Sequence, residues 1–288
     1  MAAHPQADDV LRVPTSGGHR LAVHLFKGPV ATAPVVIVLP AMGTPARVYR
    51  PLAAALTGHG LNVAIGDQRA HGDSTPAMSK RVDFGYATMV EDDLPRVYDA
   101  VQHAFRGSRV FLLGHSLGGQ VAMLFGGSGA RDVSGIITVA SGTVWWRAFA
   151  TGLRAYGMRG VVGAVETITR VSGYWPGRRL RFGGTQPLTL MTDWARLGRT
   201  GEFAPAGALT NLEAGMAGMR TPILGITIEN DFFAPRSSAD HLLGKAAVAE
   251  VERWHYDGAP GLPRPDHFSW AKHPGPIAEN VADWIADH

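Results

Sequence analysis

The sequence predicts an α/β protein with a mostly parallel sheet of eight strands between layers of helices. Short β-branched runs alternate with stretches of helical periodicity, and central runs such as Val35–Leu39 are apolar at every position. This pattern is typical of a strand that helices cover on both faces. The predicted strands lie near residues 10–14, 21–26, 35–40, 61–67, 110–114, 136–140, 223–229 and 249–256. The predicted helices lie near residues 47–56, 86–104, 117–125, 237–243 and 276–285.

Composition excludes several classes of protein and site. The 288 residues are 45% hydrophobic and 18% charged and include no cysteine, which excludes disulfides, thiolate nucleophiles and cysteine zinc sites. The net charge is only +3 and no basic run is interleaved with aromatic residues, so we expect no nucleic-acid partner. Residues 1–12 lack the apolar segment of a signal peptide, and no apolar run could span a bilayer. We therefore expect a cytoplasmic protein without a membrane partner.

The segment of residues 142–219 interrupts the alternation of strands and helices. It shows no convincing strand, and it holds many arginines together with tryptophans at positions 145, 146, 175 and 194. A long insertion in a compact sheet is rarely an unstructured loop, so we predict a helical cap. The cap should cover the strand ends, where open α/β sheets bind ligands. The predicted organisation is a core of residues 1–141 and 220–288 with a cap of residues 142–219.

The strongest chemical signal is the turn Gly-His-Ser-Leu-Gly-Gly at residues 114–119. It joins a predicted apolar strand directly to a predicted helix, and a turn this tight exposes the Ser116 hydroxyl at the sheet edge. The helix N-terminus behind the serine favours developing negative charge. Ser116 is therefore the predicted nucleophile. A second glycine-rich stretch surrounds Ser128 at the end of the same helix, and we interpret that serine as structural.

A serine nucleophile needs a base and an acid that orients the base. After this type of turn, the acid precedes the histidine along the chain. Asp231 lies in the turn after a predicted strand and is the predicted acid, with Glu229 as its rival. His267 lies between the last predicted strand and the last predicted helix, where the base is expected, and His273 and His255 are the alternatives.

A tetrahedral oxyanion requires backbone N–H donors. Leu117, the residue after the nucleophile, is the first predicted donor. The second should come from the loop that follows the strand at residues 35–40. Met42 is the predicted donor and Ala41 the alternative, since Pro40 has no N–H group. This machinery needs no metal ion and no cofactor.

The nucleophile, acid and base in this order make the chain resemble the α/β-hydrolase superfamily over essentially its whole length. The stretch at residues 66–74, GDQRAHGDS, resembles a turn common in that superfamily, and the nucleophile turn resembles those of monoacylglycerol lipases, thioesterases and serine aminopeptidases. The loop Pro-Ala-Met-Gly at residues 40–43, with Tyr49 and cap motifs at residues 173–177 and 193–197, resembles predicted bacterial α/β-hydrolases that are poorly characterised. The resemblance implies the α/β-hydrolase fold with a cap insertion.

The predicted function is cleavage of an ester or thioester, with an amide as a lesser alternative, through an acyl-enzyme on Ser116. The alternatives are an acyltransferase or cyclase with the same triad and, more distantly, a non-catalytic binding protein. The expected partner is a small-molecule acyl substrate, and the candidate substrate-binding residues are His115, Tyr49, Trp145 and Phe232. We interpret the arginines between residues 147 and 181 as a solvated face. The alternative is an entrance for anionic acyl donors such as coenzyme A thioesters.

Overall fold

The computed structural model describes residues 6–149 and 153–288, apart from the side chain of Arg154. Its strands are β1 (Asp9–Pro14), β2 (Arg20–Phe26), β3 (Val35–Leu39), β4 (Asn62–Gly66), β5 (Val110–His115), β6 (Gly135–Val139), β7 (Tyr174–Pro176), β8 (Thr185–Pro187), β9 (Ile223–Ile228) and β10 (Val251–Tyr256). Eight of them form one sheet in the order β1-β2-β4-β3-β5-β6-β9-β10. Strands β1 and β2 are antiparallel to their neighbours, and all other pairings are parallel. The predicted mostly parallel eight-stranded sheet is confirmed.

Helices cover the sheet and build most of the insertion. They are α1 (Arg50–Gly58), α2 (Tyr86–Thr88), α3 (Leu94–Ala104), α4 (Leu117–Ser128), α5 (Leu153–Ser172), α6 (Gly177–Leu180), α7 (Leu188–Thr200), α8 (Leu212–Gly218), α9 (Arg236–Leu243) and α10 (Gly275–Asp287). A π-helical turn at Met89–Asp93 joins α2 to α3, so the helix predicted at residues 86–104 is one continuous helical segment. Within the described ranges, no helix is long and apolar enough to cross a lipid bilayer.

The hydrophobic core lies in two layers, one on each face of the sheet. Along β3, Val35 and Ile37 pack in the layer that includes side chains of α3 and α4. Val36 and Val38 pack in the opposite layer, with side chains of α1 and α10. All four valine and isoleucine side chains are fully buried, which explains why this strand is apolar at every position.

The strand register brings the carboxyl ends of four parallel strands to one edge of the sheet. Leu39 at the end of β3 pairs with Gly114 in β5, and Val139 at the end of β6 pairs with both His115 and Ile226. The loops that follow these strands therefore start side by side. This edge is where an open α/β sheet presents a ligand site.

The insertion differs from the predicted helical cap in two respects. Strands β7 and β8 form an antiparallel hairpin in which Trp175 pairs with Gln186. Strands of three residues are too short to show an alternating pattern, which is why the sequence did not reveal them. In addition, α8 packs on the core helix α4, where a Cβ atom on Gly127 would lie 2.5 Å from the Met216 nitrogen. The last helix of the predicted cap segment, α8, therefore packs directly on the core.

The cap helix α7 contacts the core through a buried carboxyl group. Asp193 Oδ1 accepts a hydrogen bond from the backbone N–H of Ala206 at 2.9 Å. Its Oδ2 has no hydrogen-bond partner among the described residues and faces Gly85, where a Cβ atom would lie only 2.6 Å away. Burial raises the pKa of Asp193 to about 6, because removal from water disfavours the charged form.

This pKa predicts a stability that depends on pH. Below the unfolded-state pKa of about 4, the raised pKa makes its full contribution to the stability of the fold. That contribution is lost as the pH rises through the folded-state pKa of about 6. Asp193→Asn keeps a neutral side chain at every pH. We expect the free energy of unfolding of this variant, relative to wild type, to rise by about 2 to 3 kcal/mol between pH 4 and pH 8. Chemical denaturation across that range measures it, and a difference independent of pH contradicts the prediction.

Candidate active site

Ser116 lies in a strained turn between β5 and α4. Its backbone has φ 54° and ψ −116°, and its N–H donates to the carbonyl oxygen of Val139 at 3.1 Å. The turn closes because two glycines allow backbone to touch backbone. A Cβ atom on Gly114 would lie 2.3 Å from the Gly118 carbonyl carbon, and one on Gly118 would lie 2.0 Å from the Leu39 oxygen. The left-handed backbone of a non-glycine residue is costly and marks functional turns.

The side chains of Ser116, His267 and Asp231 form one hydrogen-bonded chain. His267 Nε2 lies 3.1 Å from Ser116 Oγ, and its Nδ1 lies 2.9 Å from each carboxylate oxygen of Asp231. Asp231 Oδ1 also accepts the backbone N–H groups of Phe233 at 2.8 Å and Ala234 at 2.9 Å. Both His267 and Asp231 are buried. These acceptor bonds orient the carboxylate, which in turn favours the Nδ1–H tautomer of His267 and leaves Nε2 facing the Ser116 hydroxyl as an acceptor.

The rival residues lie elsewhere. Glu229 Oε2 contacts His255 Nε2 at 2.8 Å, so the alternative acid and one alternative base pair with each other. His255 Nδ1 also contacts the Thr227 hydroxyl at 2.8 Å. His273 is exposed just before α10. Among the candidate acids and bases, only Asp231 and His267 belong to the hydrogen-bonded chain that includes Ser116.

Two backbone N–H groups are placed to receive an oxyanion. Leu117 is the first residue of α4, and its N–H has no hydrogen-bond partner in the part of the chain that the structure describes. The Ala41 N–H already donates to the Tyr49 hydroxyl at 2.9 Å. The Met42 N–H has no such partner within residues 6–149 and 153–288, and both Met42 and Leu117 line the cavity above Ser116. The geometry thus favours Met42 over Ala41 as the second donor.

Tyr49 and His115, two of the predicted substrate-binding residues, lie behind the wall of the cavity. Both are buried behind the loop at residues 40–43, which we call the oxyanion loop, and both lie outside the cavity lining. The Tyr49 hydroxyl lies 2.7 Å from His115 Nδ1. Burial and the neighbouring His267 hold the pKa of His115 well below its usual value, so the neutral ring can accept a hydrogen bond from the Tyr49 hydroxyl. Gln68 holds the same loop, since its Nε2 donates to the Pro40 oxygen at 2.9 Å.

Gln68 was missed by the sequence analysis as a supporting residue. It lies in the stretch at residues 66–74 that resembles a superfamily turn, so that turn was the available signal. Its Oε1 also accepts the Gly43 N–H at 3.3 Å. The loop that follows β3 is therefore held on both sides of Met42.

The other two substrate-binding candidates differ in position. The ring of Trp145 packs 4.5 Å from the ring of His241 and against Gly201, outside the cavity lining. Phe232 lines the cavity and is 76% exposed. Trp145 lies near the start of the inserted segment, shortly after β6. The folding of the cap, and not distance along the chain, decides which side chains of this segment line the cavity.

A cavity of about 690 Å³ opens above Ser116. Its walls are mostly apolar and come from both the core and the cap. The lining includes Ala41, Met42, Leu117, Val144, Phe149, Met158, Val161, Phe182, Trp194, Phe232, Phe233, Pro235 and Phe268. A volume of this size accommodates a small molecule with an apolar chain.

One cap loop, residues 181–184, touches both halves of the site. A Cβ atom on Gly43 would lie 2.4 Å from the Gly183 oxygen, so this loop packs directly on the oxyanion loop. The ring of Phe182 stacks on Phe233 at 6.0 Å and 12°. Phe233 in turn lies 5.1 Å from the ring of His267. The cap therefore contributes to the position of the oxyanion loop as well as to the cavity wall.

The sheet topology, the strained serine between strand and helix, and the convergence of strand-end loops define the α/β-hydrolase fold. A family model described as serine aminopeptidase, S33, matches residues 31–170, which include Ser116 but not Asp231 or His267. The predicted fold class is confirmed. A search of curated protein sequences finds no significant match.

Several solved structures share this fold across nearly the whole chain. A hydrolase from Pseudomonas aeruginosa is 21% identical with a TM-score of 0.60, and the match covers 97% of this chain and 99% of that chain. An esterase from Pyrococcus furiosus is 17% identical with a TM-score of 0.64, with coverage of 97% and 90%. A thioesterase domain from the curacin biosynthetic pathway is 12% identical with a TM-score of 0.58, with coverage of 97% and 100%.

The buried hydroxyl behind the oxyanion loop yields a prediction. Tyr49→Phe leaves the Ala41 N–H and His115 Nδ1 without their partner, so the oxyanion loop loses a restraint. With p-nitrophenyl butyrate as a generic ester, we expect kcat to fall about tenfold with little change in KM, because oxyanion contacts form in the transition state. The unpartnered buried groups should also lower the free energy of unfolding by about 1 to 3 kcal/mol.

The matched control for this variant is Tyr156→Phe, which removes a hydroxyl from an exposed cap residue. Its kcat and melting temperature should equal those of wild type. A Tyr49→Phe enzyme with unchanged kcat, or with a loss confined to KM, would show that the hydroxyl does not position the oxyanion loop.

Proposed function

We propose that this protein is a serine hydrolase that cleaves an ester or thioester through an acyl-enzyme on Ser116. The observation that supports the proposal is the chain of hydrogen bonds from Ser116 Oγ through His267 to Asp231. The Ser116 end of this chain lies in an apolar cavity. A serine hydroxyl is a weak nucleophile unless a base removes its proton. The neighbouring structures described as an esterase and a thioesterase agree with this chemistry.

In the acylation step, His267 Nε2 takes the proton of Ser116 Oγ as the oxygen attacks the carbonyl carbon. The carbonyl oxygen becomes the oxyanion, which accepts hydrogen bonds from the N–H groups of Met42 and Leu117. The imidazolium then donates its proton to the departing alkoxide or thiolate, and the acyl group stays on Ser116. Asp231 remains ionised and stabilises the imidazolium throughout.

In the second step, a water molecule attacks the acyl-enzyme. His267 takes a proton from the water, the oxyanion forms again in the same pocket, and collapse releases the carboxylic acid and regenerates Ser116. An acyltransferase or a cyclase would use the same first step and replace the water with another nucleophile. Product analysis separates these outcomes, since only hydrolysis releases the acid without an added or internal nucleophile.

Removal of the nucleophile tests the proposal directly. We expect Ser116→Ala to abolish covalent labelling by a fluorophosphonate probe and to lower kcat for p-nitrophenyl butyrate by at least about 10⁴-fold, as in other serine triads. Labelling is read by gel fluorescence and by mass spectrometry of the modified peptide.

The control is Ser128→Ala, a serine in the other glycine-rich stretch whose hydroxyl donates to the Phe125 oxygen inside α4. This variant should label and turn over like wild type. Probe labelling of Ser116→Ala at the wild-type level would refute the assignment of the nucleophile. A wild-type protein that neither labels nor turns over any ester or thioester would favour a non-catalytic binding protein.

A further inference from the structure

We propose that Arg181 binds an anionic group of the substrate, so that the enzyme prefers acyl donors that carry a carboxylate or a phosphate. This inference rests on the proposed function and adds a substrate class to it. The apolar cavity wall would hold the hydrocarbon part, and the guanidinium of Arg181 would bind the anion at the cap side.

The distribution of charge in the cavity lining is the first argument. Asp231 and His267 are bonded to each other, and the remaining lining residues are uncharged apart from Arg181. The polar side chain of Gln120 is also satisfied, because it accepts the Tyr86 hydroxyl at 2.5 Å and donates to the Gly142 oxygen at 2.6 Å. Arg181 is thus the one cation, outside the triad, that lines this cavity in the described ranges.

The lack of a protein partner is the second argument. Two other cap arginines, Arg170 and Arg199, pair with Glu166. Arg181 makes no ion pair and no side-chain hydrogen bond with any residue in the ranges 6–149 and 153–288. Arg181 is an exposed residue that lines the cavity, and a guanidinium there that meets no carboxylate of the described residues is available to an anionic ligand.

The backbone conformation is the third argument. Arg181 follows the short helix α6 with φ 58° and ψ 29°, a left-handed conformation in which glycine is the usual residue. Gly183 and Gly184, two and three residues later, have φ values of 67° and 66°. An arginine is less favourable than glycine in this conformation, in which its backbone N–H donates to the Gly177 oxygen as the cap of α6. Non-glycine residues with strained backbone cluster at active sites and ligand sites, which agrees with a binding role for Arg181.

The position of Arg181 relative to the reacting atoms is the fourth argument. The next residue, Phe182, stacks on Phe233 beside the ring of His267, and Gly183 packs on the oxyanion loop. Arg181 is the residue before Phe182, and it lines the same cavity as Ser116. We therefore expect its long side chain to reach a substrate that is bound at Ser116. A guanidinium binds carboxylate and phosphate through two parallel hydrogen bonds, which a neutral ligand group cannot match.

The anion could belong to the acyl part or to the leaving group, and two substrate pairs distinguish these sources. The first pair is the p-nitrophenyl half-ester of adipic acid against p-nitrophenyl hexanoate, which differ by a carboxylate at the end of the acyl chain. The second pair is the hexanoyl thioester of 4′-phosphopantetheine against the hexanoyl thioester of pantetheine, which differ by the phosphate of the leaving group. For each pair the measured quantity is the ratio of kcat/KM for the anionic substrate to kcat/KM for the neutral one.

Three variants separate charge, backbone conformation and general electrostatics. Arg181→Gly removes the side chain and relieves the left-handed backbone, so its melting temperature should be no lower than that of wild type. Arg181→Lys keeps a positive charge on the same backbone. Arg179→Gln removes a charge from an exposed arginine of α6 that does not line the cavity, and this control should keep the wild-type ratio in both pairs.

We expect Arg181→Gly to lower the ratio about tenfold or more in one of the two pairs, which identifies where the anion lies, and Arg181→Lys to recover part of it. An unchanged ratio in both pairs, or an equal loss in Arg179→Gln, overturns the inference while turnover still supports the hydrolase. No turnover of any of the four substrates, together with no labelling of Ser116, overturns the proposed function and this inference with it.

Discussion

The close approach of backbone to backbone around Ser116 is the constraint on which the rest of the site depends. The turn needs Gly114 and Gly118, because a Cβ atom at Gly118 would lie 2.0 Å from the Leu39 oxygen. The same contact sets α4 against the end of β3, so it places Leu117 and the oxyanion loop side by side. The hydrogen bond from Ser116 N–H to Val139 ties the strained residue to β6. The turn is therefore held by neighbouring strands, and its geometry depends on the assembled sheet.

Behind this turn, buried neutral groups set the shape of the oxyanion loop. Tyr49 connects the Ala41 N–H to His115, and Gln68 binds the loop from its other side. The hydrogen bonds of Tyr49 and Gln68 each have a defined partner, whereas His115 Nε2 has none among the described residues, and buried hydrogen bonds of this kind rigidify a site. A rigid loop reduces the reorganisation needed when negative charge develops on a substrate oxygen.

The cap also restrains the oxyanion loop, and it contributes Arg181 to the cavity. Its loop at residues 181–184 packs on Gly43. Phe182 in the same loop stacks on Phe233, which in turn contacts His267. The core positions Ser116, His267 and Asp231, whereas the cap supplies part of the cavity wall and the cation at Arg181. Under the proposed function, the reacting groups and the residue that would select an anionic substrate therefore belong to different parts of the chain.

The sequence by itself determined the eight strands, the serine turn and the positions of Asp231 and His267, because each depends on local pattern or on chain order. Strands buried on both faces are apolar throughout, and parallel strands bring their following loops to one edge. Only the tertiary structure decided that Tyr49 and His115 support a loop, that Trp145 lies outside the cavity, and that the cap includes a hairpin. These outcomes depend on contacts between segments far apart in the chain, for which no local pattern exists. Tyr49 and His115 meet only because β3 and β5 are neighbours in the sheet.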